Sequence, residues 1–122
     1  MDGSRVCLDF DGYCSLADFS SRQGREVMAI AIVAKLNIAS GKESEFEKIM
    51  LDLVREVRSN EPGNQLYTLC KDQQGNYLVL EIYDSPEAAV AHRESAHFKA
   101  AGPKFASVMT GPPDIQRLQI LG

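Results

Sequence analysis

Phe46, Ile49, Met50, Leu53, Val54 and Val57 recur at i, i+3, i+4, i+7, i+8 and i+11, a single apolar stripe on an otherwise largely charged segment. A helix with one apolar stripe has one surface to bury and needs one broad apolar partner to bury it against. The neighbouring sequence supplies the partner. Met28–Ile38 (MAIAIVAKLNI), Gln65–Lys71 and Tyr77–Tyr83 are short runs rich in Ile, Val, Leu and Tyr, which read as strands. The helix is therefore expected to lie on a sheet.

Turn residues divide the chain. Ser40-Gly41-Lys42-Glu43 reads as a capping box, with Ser40 at the N-cap and Glu43 three residues on. Glu61-Pro62-Gly63-Asn64 ends the helix, because Pro62 cannot continue it and biases Glu61 out of helical geometry. Asp72–Asn76 is a hairpin loop in which Gly75 can take positive φ. Asp84 or Ser85 caps a second helix with Pro86 in its first turn, running to about Glu94. A further helical piece carries Phe98, Ala101, Phe105 and Val108, and Pro103 inside it predicts a break or kink there. Asp114–Leu121 is a last strand.

Strand, helix, strand, strand, helix, strand is the order of an α+β, ferredoxin-like split βαβ fold: an antiparallel four-stranded sheet with helices on one face. The other face would carry Val33, Leu66 or Leu80, depending on register. An apolar sheet face of that kind needs a cover. A second copy of the chain is the simplest one, so a homodimer is expected.

Composition narrows the function classes. The 122 residues suit one domain. The net charge of −4 and the lack of a basic cluster exclude a duplex nucleic-acid footprint. The longest apolar run, Val27–Ala34, is too short for a membrane span. Cys7, Cys14 and Cys70 are odd in number and form no CxxC, which argues against a disulfide framework and for a reducing cytoplasm. Residues 1–27, rich in Ser, Asp and Gly, lack sustained periodicity, and the texture changes abruptly at Met28. They are read as an N-terminal extension, either translated from upstream of a natural start at Met28 or an arm that packs on a partner subunit. The domain proper is residues 28–122.

Both histidines fall within Glu81–Phe98, EIYDSPEAAVAHRESAHF, just after a strand end. Imidazole alone has an unperturbed pKa near neutrality, so His92 and His97 are the candidate acid–base residues. Tyr83 and Glu81 share a strand face two residues apart. Tyr83 can stack on an aromatic substrate and Glu81 can orient an imidazole; equally, Tyr83 can fill the core and Glu81 can pair with Arg93 or a lysine. Tyr67 suits a pocket wall or an interface, and Phe98 suits core or pocket lining. His92 and His97 lie about 140° apart round an ideal helix, so an unbroken helix could not aim both at one ion, and no metal is expected. There is no phosphate loop or GxSxG motif. Cys70, on a strand, reads as a buried structural thiol.

From Met28 onward the chain resembles the antibiotic biosynthesis monooxygenase-like (ABM) family of dimeric α+β barrel proteins. The resemblance rests on AKLNIASGKESEFE, EPGNQLYTL, LVLEIYDSPEAAVAH and SAHF, in that order. It implies a pocket in each subunit between sheet and helices. It also implies oxidation of electron-rich phenols or quinols by O₂ with no metal or flavin, and so no cofactor. Other members degrade haem or process small signalling sugars. The strand-end aromatic, usually Trp in the family, is Tyr83 here, and the first-strand Asn of the haem degraders falls at Ala34, which sets haem degradation aside. The expected function is a cofactor-independent monooxygenase on a small phenolic or quinol-type substrate. The alternative is an isomerase or aldolase of signalling-sugar type acting on a small carbonyl ligand, or a non-catalytic ligand-binding dimer.

Overall fold

Strand β1 (Ile30–Leu36) lies inside the sheet and pairs antiparallel on both sides, with β3 (Tyr77–Tyr83) and with β4 (Asp114–Gln119). Strand β2 (Asn64–Lys71) pairs antiparallel with β3, which gives the order β2-β3-β1-β4. Helix α1 (Glu43–Asn60) connects β1 to β2, and α2 (Pro86–Glu94) and α3 (Ala96–Ala106) connect β3 to β4. This is the four-stranded antiparallel sheet of the ferredoxin-like α+β fold. The computed structural model describes residues 29–122, so the expectation for residues 1–27 lies outside the described residues.

Alternation along β1 sets the layers. Ile30, Ile32, Ala34 and Leu36 are buried, while Ala31 and Val33 between them are half-buried and Lys35 is exposed. The buried set faces the helices. Phe46, Met50, Leu53, Val54 and Val57, the stripe read from the sequence, pack there with Ala34, Leu36, Tyr67, Tyr77 and Val79. Phe46 and Val57 are fully buried, worth about 1.5–3 kcal/mol each by removal from water. A smaller cluster of Ile30, Ile32, Tyr83 and Ala89 sits under α2. Register puts Val33 beside Leu80, and Leu66 beside Ile82, on the opposite face. All three expected outer residues therefore share that face.

Two local readings are corrected. Lys42, not Ser40, is the N-cap of α1, and no side chain caps it. Gly41 has φ +85, and the Lys42 amide donates to the Ala39 carbonyl, so Ser40-Gly41 is spent in a turn before the helix begins. Pro103 does not break α3, which runs through it. Lys99 and Pro103 are both exposed, so water can serve the carbonyl that loses its amide partner. The break between the two helical pieces falls at Ser95, directly after the expected end of the second helix near Glu94; Ser95 is extended at φ −70, ψ 153. Its hydroxyl donates to the His92 carbonyl and accepts from the Phe98 amide, so one residue closes α2 and opens α3.

Strand β4 is exposed along its whole length. Ile115, Arg117 and Gln119 pair with Ala34, Ile32 and Ile30 and so share the helix-side face, yet the helices do not reach over them. The sheet is thus open along one border of the helix layer.

Candidate active site

Glu61 is where the site begins. It is the C-cap of α1, at φ −119, ψ 90, turned out of the helix ahead of Pro62. Its carboxylate reaches α2 and α3. Oε2 accepts from His92 Nδ1 at 2.8 Å and from His97 Nε2 at 2.5 Å. A carboxylate only accepts, so the ring nitrogens facing it carry the protons. On that network the neutral imidazoles keep His92 Nε2 and His97 Nδ1 unprotonated. The break at Ser95 makes the arrangement possible, because it bends His97 back toward the carboxylate that holds His92.

Aromatic rings enclose His92, which is 4% exposed. Its ring centroid lies 4.8 Å from Phe98, 5.1 Å from Tyr67 and 5.7 Å from Tyr83. Burial lowers the pKa of His92, and the Glu61 hydrogen bond and charge oppose that. The ring is therefore held toward its neutral form, as a base requires. Tyr83 is fully buried and donates to Glu81 Oε1 at 2.7 Å. Burial pushes the Glu81 carboxyl up to about 7, against the Tyr83 hydrogen bond, and the Glu61 charge adds to the rise. Arg117 and Arg93 pull it down. Burial raises both tyrosine hydroxyls as well, so Tyr67 and Tyr83 stay protonated.

All six candidate residues lie in this region: His92, His97, Tyr67, Tyr83 and Phe98 about the imidazoles, and Glu81 behind Tyr83. Glu61 and Arg117 were not singled out by sequence reasoning. Glu61 reads there as part of a helix stop, and no local pattern marks it. Arg117 lies directly across the strands from Ile32, and Ile32 from Glu81 and then Tyr67, so only register relates them. Lys35 is on the outer face of the sheet, and Arg93 and Lys99 are exposed on the helices. They do not converge on an anion. One carboxylate oxygen of Glu61 and one ring nitrogen each of His92 and His97 lie within 4.8 Å of one another, a set that can hold a metal ion. An unbroken helix would set the two histidines about 140° apart, but the helix is broken between them at Ser95. Chemically, the cluster offers a dry, aromatic-walled base whose tautomer is held by a carboxylate.

A fold of this topology with an imidazole–carboxylate cluster between sheet and helices defines a class, and the comparisons give it a family. The sequence pattern of the family "Antibiotic biosynthesis monooxygenase" matches residues 29–104, and the chain belongs to that family. Among relatives, it is 27% identical over 93 residues to "Putative monooxygenase YcnE" of Bacillus subtilis (strain 168), covering 75% of this chain and 97% of that protein. Among solved structures, a "putative antibiotic biosynthesis monooxygenase" from Caulobacter crescentus CB15 is 39% identical, with a TM-score of 0.75 over 79% of this chain and 92% of that one. PA3566 from Pseudomonas aeruginosa matches at 21% identity with a TM-score of 0.72, covering 81% of this chain and all of that one, a likeness of fold. Among the described residues no helix is long and apolar enough to cross a membrane.

Proposed function

We propose that the chain is a monooxygenase that oxidises a small phenolic or quinol-type substrate with O₂ and needs no cofactor for that reaction. The supporting observation is the buried His92, held by Glu61 and enclosed by Tyr67, Tyr83 and Phe98. His92 Nε2 takes the phenolic proton. The phenolate passes one electron to O₂, and the resulting radicals join as a peroxide at a ring carbon. Loss of that carbon's proton and the distal oxygen as water leaves a second carbonyl. A phenol and O₂ thus become a quinone and water, with no outside reductant. Tyr67, Tyr83 and Phe98 form the aromatic wall, His97 shares the carboxylate that orients the base, and Glu81 anchors Tyr83. The lack of convergent Lys35, Arg93 and Lys99 disfavours the alternative of an isomerase on an anionic sugar-like ligand. The active form is a homodimer joined through the outer sheet face.

The test is oxygen uptake by chelator-treated protein across a panel of phenols and hydroquinones. We expect turnover with at least one, and a fall of about 10²–10⁴-fold in His92→Ala. No uptake above buffer with any substrate, or uptake unchanged in His92→Ala, sinks the reading.

A further inference from the structure

One oxygen of Glu61 serves two imidazoles and the other serves nothing. Oε1 is buried and has no hydrogen-bond partner among the described residues, on a side chain 10% exposed. A buried polar atom left unpaired loses the hydrogen bond that water would give it. A carboxylate oxygen without a donor favours a cation. Two imidazoles and a carboxylate are a donor set suited to borderline divalent transition metals. They come from three places in the chain, the end of α1, the last turn of α2 and the first turn of α3.

We propose that Glu61, His92 and His97 form a binding site for a divalent transition-metal ion such as zinc, with solvent or a bound ligand completing the coordination. Bonds of about 2.1 Å set neighbouring donors about 3.0–3.4 Å apart. The 2.8 Å and 2.5 Å contacts of Oε2 have to open. These are movements on the order of 1 Å, within reach of side-chain rotation. Coordination needs the lone pairs of His92 Nδ1 and His97 Nε2, so in each ring the proton moves to the far nitrogen. His92 Nε2 then carries a proton and no longer accepts one. Bound metal therefore inhibits the reaction proposed above; that consequence rests on the reading of His92 as its base, whereas the binding itself does not.

The experiment uses the full chain stripped with a chelator. Zn²⁺ is titrated by calorimetry, and Co²⁺ by visible absorption and proton NMR. We expect one ion per chain. The chain has two histidines, so Co²⁺ should shift the ring protons of both in the unmutated protein. Glu61→Gln and His97→Ala, verified as folded by circular dichroism, should each weaken binding at least about 10-fold. A Cys7→Ser, Cys14→Ser, Cys70→Ser variant should bind as the parent does. No binding, unshifted histidine protons, or binding lost with the cysteines overturns the site. Oxygen uptake should stop at one equivalent of Zn²⁺ and return with chelator. Activation by the metal would instead overturn the inhibition and the base role of His92 while leaving the site in place.

Discussion

Glu81 is the residue whose chemistry is most altered by its surroundings. At 8% exposure it accepts from Tyr83, and burial lifts its pKa from 4.5 to about 7. The sign follows from linkage. Between pH 4.5 and 7 the unfolded chain ionises this carboxyl while the folded chain keeps it protonated. Its contribution is therefore complete below pH 4.5 and is lost as pH rises through 7. A shift of that size corresponds to about 3 kcal/mol at most. Glu81→Gln keeps an acceptor for Tyr83 and removes the charge. We expect the variant to match wild type near pH 4.5 and to be more stable by about 1–3 kcal/mol at pH 8, read by urea unfolding at both pH values. Parallel stability curves would show that Glu81 ionises in the fold without penalty.

At the scale of elements, the site depends on how α2 is seated. Gly63, in the loop after α1, lies against the first turn of α2. A Cβ there would fall 2.7 Å from Ala88 Cβ, while the Gly63 carbonyl accepts the Asp84 amide at 2.8 Å and pins the backbone. Neither side can give way without moving α2. Gly63→Ala should cost about 1–3 kcal/mol by overpacking. It should also displace His92, seen as changed ring-proton shifts. A Gly63→Ala protein as stable as the parent, with unmoved histidine resonances, would mean that α2 floats on the sheet and does not fix the base. The same scale explains the break at Ser95. The sequence already ends one helix near Glu94 and begins another after it; the structure adds the cause, which is that Ser95 caps in both directions.

For the whole molecule, the outer sheet face is the open question that the proposed dimer answers. Ala31, Val33, Leu66, Leu78, Leu80 and Ile82 lie on it half-buried, and Leu118 of β4 is 41% exposed. The helices cover the opposite face, and among the described residues this one has only its own strands for neighbours. Leu80→Lys places a charge at its middle, opposite Val33, without touching the helix-side core. We expect the parent chain to sediment as a dimer at micromolar concentration and Leu80→Lys to sediment as a folded monomer. A monomeric parent would refute the pairing, and so would a dimer indifferent to the lysine.

The order of elements and the stripe on α1 were legible in the sequence because each depends on patterns along neighbouring residues. His92, His97, Tyr67, Glu81, Tyr83 and Phe98 were legible as candidates by side-chain chemistry and by their place near strand ends. What held them together was not. Glu61 meets His92 and His97 across 31 and 36 residues, and Arg117 falls in line with Glu81 through two strand registers. Those distances in sequence close only when α1, α2 and α3 settle on one face of the sheet. Local pattern decides which way a side chain points from its own backbone, and tertiary packing alone decides what it points at.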